Sequence, residues 1–133
     1  MTDAEAHRTL ESKAARLAEG RLEWNELDFV EWREFRRMAP AVVGMEIGRI
    51  ERVMRQMGPK DPAYNDIVRV RFALRTFVEG LEHASQEALP DLAEHLRTAL
   101  LALSLMADRL DSETLRYAAH RLRYVHDRMN LIY

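Results

Sequence analysis

Cysteine is absent from this chain of 133 residues, which excludes disulfides, thiolate metal sites and cysteine nucleophiles. Long apolar runs are absent too, because the longest uncharged one, 99–107, is about half the length that crosses a bilayer. The opening Met-Thr-Asp-Ala-Glu lacks the basic and apolar segments of a secretory signal. We therefore expect a cytoplasmic protein without a transmembrane segment and without a membrane partner.

Net charge is also nearly absent, at −2, so the chain as a whole gives no electrostatic reason to bind nucleic acid or membrane. The charges nevertheless alternate in blocks. Lys and Arg number 5 against 9 acidic residues in 1–35, 9 against 4 in 36–75, 2 against 7 in 76–111 and 4 against 2 in 112–133. The sequence does not decide whether the two basic segments, 36–75 and 112–133, converge in space.

What the chain does contain is the composition of an ordered globular protein, 47% hydrophobic and 32% charged. Its length is typical of one domain, so we predict a single domain over 1–133. Apolar residues recur at helical spacings of three and four, and no segment alternates as a strand would. These patterns predict an all-α antiparallel bundle of about six helices, four long ones with two N-terminal helices packed across them.

Caps and prolines set the predicted helix boundaries. Thr2 starts the first helix and Asn25 the second, and Ala39 separates the second from the third because Pro40 suits a first turn. Gly58 and Pro59 end the third helix, and the fourth is predicted to end near Ala88. The later helices start at Asp61 with Pro62, at Asp91 with Glu94 after Pro90, and at Asp111 with Ser112.

The fifth predicted helix is apolar on more than one side. Leu101 and Leu105 lie off its main stripe of Leu92, Leu96, Leu100, Leu103, Met106 and Leu110. A helix of this kind is typically central in its bundle or part of an oligomer interface. This feature, the alternating charge and the lack of a catalytic motif favour a non-enzymatic protein interaction module: an adaptor, small subunit or inhibitor that binds another protein, itself, or both, with no cofactor.

Arginine and tyrosine alternate along the last predicted helix, which favours an alternative function. Rings can stack on bases while guanidinium groups meet phosphates, so this alternative is binding of single-stranded RNA or DNA. Its candidate residues are Arg116, Tyr117, Arg121, Arg123, Tyr124 and Arg128, with Arg49 and Arg52 on the third helix. The competing interpretation is an ordinary solvated face whose arginines pair with acidic residues.

Arg121 and His126, with four residues between them, resemble the Arg-x4-His signature of HEPN-type ribonucleases. The resemblance implies a helical domain that dimerises and cleaves RNA, with His126 as general acid or base and Arg121 stabilising the phosphate charge. Leu122 stands where many family members carry a polar residue. Because a chain with this Arg and His content matches so short a motif by chance, we predict no enzyme and read both residues as surface positions.

His83 and His95 could meet near Pro90 in acidic surroundings. A third ligand is needed for a typical protein metal site, and the sequence supplies none at a fixed spacing. We therefore predict no metal site.

Overall fold

The computed structural model describes residue 4 and residues 31–132 of the chain. Within 31–132 it contains four α-helices and no strand, which confirms the all-helical class. They are α1 (Trp32–Met57), α2 (Tyr64–His83), α3 (Leu89–Arg109) and α4 (Glu113–Ile132), with a 3-10 helix at Gln86–Ala88. None of these described helices has the length and apolar character that crossing a membrane requires.

The four helices pack as an antiparallel ring. Each consecutive pair packs together, and α4 returns to α1. Arg36, early in α1, donates a hydrogen bond of 2.8 Å to the carbonyl of Glu82 near the end of α2. Asp66, early in α2, forms an ion pair of 3.5 Å with Arg109 at the end of α3. The helices α1 and α3 therefore lie on a diagonal, with their outer surfaces on opposite sides of the bundle.

The predicted apolar stripes of these four helices form the core. Residues at the stripe ends are half-buried: Met57, Ala84, Leu92, Leu110 and Ile132. The buried members are Val43, Ile47, Ile50, Met54, Ile67, Val70, Leu74, Phe77, Leu81, Leu96, Leu100, Leu103, Met106, Leu115, Ala119, Leu122, Val125 and Met129. Spacing alone therefore identified the inward side of each helix.

The predicted break at Ala39 is wrong, because α1 continues through Pro40 to Met57. Proline inside a helix removes a hydrogen bond and costs about 3 kcal/mol. Phe35 and Met38 before it, and Val42 and Val43 after it, are all buried. Packing of both halves in one core outweighs the local cost. The described part of the predicted second helix and the predicted third helix thus form one helix, whereas the predicted starts at Thr2 and Asn25 lie outside the described residues.

Two of the three later helix starts behave as predicted in part. Ser112 caps α4, since its Oγ accepts a hydrogen bond of 3.2 Å from the Leu115 amide. Asp61 accepts one of 2.9 Å from the Ala63 amide, although α2 itself starts at Tyr64.

The third start, at Asp91, is wrong. The helix α3 begins at Leu89 and takes Pro90 into its first turn, because a proline there loses no helical hydrogen bond. The end of α2 near Ala88 is wrong too, since α2 stops at His83 and Gln86–Ala88 forms the 3-10 helix.

Candidate functional site

The interface between α1 and α4 contains a buried carboxylate. Glu46 is 1% exposed and is the only buried charged residue among those the structure describes. Its Oε1 accepts a hydrogen bond of 3.3 Å from Arg121. Its Oε2 lies 3.4 Å from Nε of Arg49 but has no hydrogen-bond donor in the described part of the chain. One carboxylate thus holds arginines of both predicted basic segments.

Burial dominates the electrostatics of Glu46. Desolvation raises the pKa of this carboxyl above its ordinary value of 4.5, against the attraction of Arg49, Arg121 and Arg52. A buried ion pair has this character because lost hydration can exceed the attraction that replaces it. Glu46 is therefore a costly group that the surrounding guanidinium groups compensate only partly.

A second set of arginines lies on the other side of α1. Arg75 donates a hydrogen bond of 2.6 Å to Glu51, and Arg55 and Arg71 line a groove of about 200 Å³ with Glu51 and Tyr64. Arg52, Arg55 and Arg71 form no ion pair within residues 31–132. We call the surface that includes these side chains and those around Glu46 the arginine face: Arg49, Arg52, Arg55, Arg71, Arg75, Arg121 and Tyr117.

The predicted nucleic-acid residues divide between three places. Tyr117 and Arg121 lie at the arginine face with Arg49 and Arg52, and the Arg121 guanidinium lies 4.6 Å from the Tyr117 ring centroid. Farther along α4, Arg128 lies 4.7 Å from the Tyr124 ring centroid. The alternating arginines and tyrosines of α4 thus form two cation–π pairs within the helix, Arg121 with Tyr117 and Arg128 with Tyr124.

Arg116 and Arg123 lie on the other side of α4, in a polar groove of about 360 Å³ against α3. Arg116 donates hydrogen bonds of 2.8 Å to Asp111 and to Glu113, which raise its pKa above the ordinary value. Three acidic neighbours surround it, since Asp108 lies 3.7 Å away. Arg116 therefore belongs to a local acidic network and not to the arginine face.

Arg121 and His126 do not share one side of α4. Five helical positions separate them, a rotation of about 140°. Arg121 turns toward Glu46 on α1, while His126 is half-buried. A single chain therefore does not place these two side chains as one acid–base pair.

His83 and His95 are both exposed. No cluster of three or more His, Asp or Glu residues occurs in the described part of the chain that could hold a metal ion.

The outer side of α3 has a different chemistry. Leu101 and Leu105 are 59% and 66% exposed and are followed or preceded by small residues. We call Thr98, Leu101, Ala102 and Leu105 the leucine face. Beside it, a groove of about 420 Å³ runs between α2 and α3, with Val70, Ala73, Ala99, Ala102, Leu105 and Met106 in its lining and Asp66, Arg69 and Arg109 at one end.

Two features escaped the reading of the sequence. Glu46 lies on the buried side of α1 between Val43 and Ile50. A charged residue at a position where the helical repeat predicts an apolar one could have indicated this buried carboxylate. Phe72 is 71% exposed on α2, and its place between the stripe positions Val70 and Leu74 was the corresponding signal. Both follow from helical phase.

Comparisons with protein-family models, with curated proteins and with solved structures found no match for this chain. The geometry of residues 31–132 therefore defines this part of the chain by itself: an antiparallel bundle of four helices with an arginine face and a leucine face on opposite sides.

Proposed function

We propose that this protein is a non-enzymatic interaction module that binds other protein surfaces through the leucine face. The observation that carries the proposal is the exposure of Leu101 and Leu105 on one side of α3. They adjoin an apolar groove of about 420 Å³. Contiguous apolar surface with a polar rim is characteristic of protein interaction sites. Helical surfaces of this kind bind amphipathic helices through apolar anchors one turn apart.

The test uses Leu105→Asp with Phe72→Asp as its matched control. Both changes place a carboxylate on an exposed apolar position, but Phe72 lies on α2 outside the leucine face. Proteins retained by the tagged chain from host extract are purified and titrated against the wild type and both variants by calorimetry. We expect Leu105→Asp to weaken binding by about tenfold or more and Phe72→Asp to leave it unchanged. Equal effects of both changes, or no complex of any kind, would contradict the proposal.

A second candidate function is binding of single-stranded nucleic acid at the arginine face. The observation that favours it is the meeting of the segments 36–75 and 112–133 around α1, where Arg49 and Arg121 share Glu46. The arginine face carries six guanidinium groups but, among the described residues, only two carboxylates, Glu46 and Glu51, which form ion pairs with Arg49, Arg121 and Arg75. The ring of Tyr117 is 56% exposed and offers a surface on which a base can stack. The role we propose is binding, and no cleavage is expected.

The test of this second function is fluorescence anisotropy with a labelled single-stranded RNA at several salt concentrations. The variant Arg52→Gln/Arg55→Gln/Arg71→Gln is compared with Arg69→Gln/Arg97→Gln/Arg109→Gln, which removes the same charge away from the arginine face. We expect the first variant alone to reduce the slope of log affinity against log salt by about two, since each phosphate contact contributes about 0.7. Equal slopes for the two variants, or binding that ignores salt, would exclude this function.

A further inference from the structure

We propose that the partner of the leucine face is a second copy of this chain, with the two α3 helices antiparallel about a two-fold axis at the level of Leu103. This inference rests on the proposed function, because it names the protein that the leucine face binds. It commits to a register, and the register follows from the positions of the apolar and charged residues along α3.

The apolar residues define the centre of the contact. Thr98, Leu101, Leu105 and Asp108 recur at spacings of three, four and three, the repeat of a helix that packs along one seam. Leu101 and Leu105 lie equally far from the level of Leu103, in opposite directions. The two-fold axis therefore places Leu101 of one copy against Leu105 of the second copy, and Leu105 against Leu101. Both leucines, 59% and 66% exposed in the single chain, would then be covered. A small residue, Ala102, lies beside the axis and permits close approach of the helices.

The charges on either side of this centre are self-complementary. Arg97 and Asp108 both lie on the side of the seam toward α4, since Asp108 shares the groove between α3 and α4 with Ser104, seven positions after Arg97. They lie at nearly equal distances from Leu103 in opposite directions. Antiparallel pairing therefore sets Arg97 against the second copy's Asp108, and the two-fold axis repeats the contact.

A second charge pair joins Arg109, on the side of the seam toward α2, to Glu94, which lies on the same line along α3 as Leu101 and Leu105. Arg109 lies on that side, because it forms an ion pair with Asp66. The axis sets it within about one turn of the second copy's Glu94 along the helix, within reach of their long side chains. In the single chain these residues already form ion pairs, Glu94 with Arg97, Arg109 with Asp66 and Asp108 with Arg116. Exposed pairs of this kind contribute little to stability, so they can be exchanged for contacts with the second copy.

The same residues argue against a parallel arrangement. In a parallel pair the two-fold axis would set the α4 side of one seam against the α2 side of the other, so Arg97 would not meet Asp108 of the second copy. A two-fold contact requires a surface that is complementary to itself, and the leucine face with these four charges meets that requirement. An unrelated partner has no such reason to match both charge pairs.

The size of the contact sets its strength. The stretch from Glu94 to Arg109 is about 24 Å long, and one helix pair of that length lies at the low end of stable interfaces, which bury about 1,200 Å² or more. We therefore expect a dimer that dissociates on dilution. Its population has to be followed over a wide range of protein concentration.

The decisive experiment uses the absence of cysteine from the chain. Ala102→Cys places one thiol on each copy close to the axis, about 9 Å apart at the usual helix spacing of 8–10 Å. A short bis-maleimide should join these thiols into a covalent dimer. Gln56→Cys, exposed on α1, is the matched control and should remain monomeric under the same conditions.

Light scattering and analytical ultracentrifugation of the full chain supply the second measurement. Leu105→Asp should raise the dimer dissociation constant by more than about tenfold, because the substitution is present in both copies and removes two symmetry-related contacts. Phe72→Asp should not change the dissociation constant. Arg97→Glu alone and Asp108→Arg alone should each weaken the dimer. The double variant Arg97→Glu/Asp108→Arg should restore it, since the pair keeps its complementarity with the signs exchanged.

Cross-linking at Ala102 with rescue by the double charge exchange would support this register. A chain that stays monomeric at every concentration, or a dimer that cross-links through Gln56→Cys and not through Ala102→Cys, would overturn it. The proposed function fails separately. If the chain is monomeric but binds a different purified protein in a manner that Leu105→Asp abolishes and Phe72→Asp preserves, self-association is excluded while the interaction module stands.

Discussion

The outer surfaces of α1 and α3 lie on opposite sides of one bundle and differ in where their charged side chains lie. On α1, Arg49 and Arg52 surround the buried Glu46. On α3, Leu101 and Leu105 are exposed, and the charged residues stay at the rim in exposed pairs. One antiparallel bundle thus holds its buried polar interactions at the interface of α1 with α4 and leaves apolar side chains exposed on α3. We expect the first arrangement to affect stability and, under the proposed function, the second to affect association.

The largest expected effect separates burial from exposure within α3. Leu103→Ala should lower the free energy of unfolding by about 2–5 kcal/mol, because Leu103 is fully buried and its loss leaves a cavity. Leu105→Ala should change it by less than about 0.5 kcal/mol, since this side chain is 66% exposed. Urea denaturation at low protein concentration, where association does not contribute, measures both. Similar losses for the two variants would contradict the contrast between them.

The next effect concerns the buried carboxylate of α1. Arg121→Ala removes the hydrogen bond to Glu46 and should lower the free energy of unfolding by about 2 kcal/mol, because a buried charge loses a partner. Arg123→Ala, on the same helix but exposed, is the control and should change it by less than about 0.5 kcal/mol. Chemical denaturation of both variants at neutral pH measures the two losses in the free energy of unfolding. Equal losses would show that the contact of Arg121 with Glu46 does not contribute to stability.

A smaller effect is expected in the dependence of stability on pH. Burial raises the pKa of Glu46 above 4.5, so between 4.5 and the raised value the folded chain binds more protons at this group than the unfolded chain. The contribution of Glu46 to the free energy of unfolding therefore falls as pH rises through that interval. In Glu46→Gln this contribution should be absent, so the free energies of unfolding of the two proteins should diverge across that interval.

Denaturation of the wild type and Glu46→Gln at matched pH values measures that difference directly. Glu51→Gln, on the same helix but half-buried beside Arg75, serves as the control for loss of one carboxylate. If the free energies of unfolding of the wild type and Glu46→Gln depend on pH in the same way, burial does not raise the pKa of Glu46.

The smallest effect compares two helical glycines. Gly44→Ala on α1 meets no atom within 4 Å and should raise the free energy of unfolding by about 0.5–1 kcal/mol through helix propensity. At Gly80 on α2, an added Cβ would lie 3.0 Å from Cδ2 of Leu92 on α3. The shift of the Leu92 side chain should therefore offset the gain in helix propensity. Thermal unfolding of both variants checks this order, and a larger gain from Gly80→Ala would reverse it.

Helical phase predicted most of the core, whereas the helix boundaries were predicted only in part, correctly at Gly58 and Ser112 and wrongly at Ala39 and Asp91. The stripes of α1 to α4 were read correctly because each apolar position repeats the same local rule. Pro40 was read as a helix start, yet α1 runs through it, since buried residues on both sides pack in one core. Local propensity is a weak guide wherever tertiary packing is strong.

The candidate surfaces were predictable to different degrees. Leu101 and Leu105 stood out from the stripe of their own helix, so the leucine face needed only the spacing within one segment. The arginine face could not be assembled in this way, because Arg49, Arg75 and Arg121 come from three helices. The sequence also grouped Arg116 with Arg121, whereas the structure turns Arg116 toward Asp111 and Glu113.

By itself, the sequence determined that the described chain is helical, which side of each helix is buried and that α3 carries leucines outside the core. These properties depend on residues a few positions apart, so they can be read from periodicity. Only the tertiary structure decided that α1 lies between α2 and α4 and diagonal to α3. That placement depends on how four buried surfaces pack together, and it is what gathers the arginines around Glu46 and leaves the leucine face exposed on the other side.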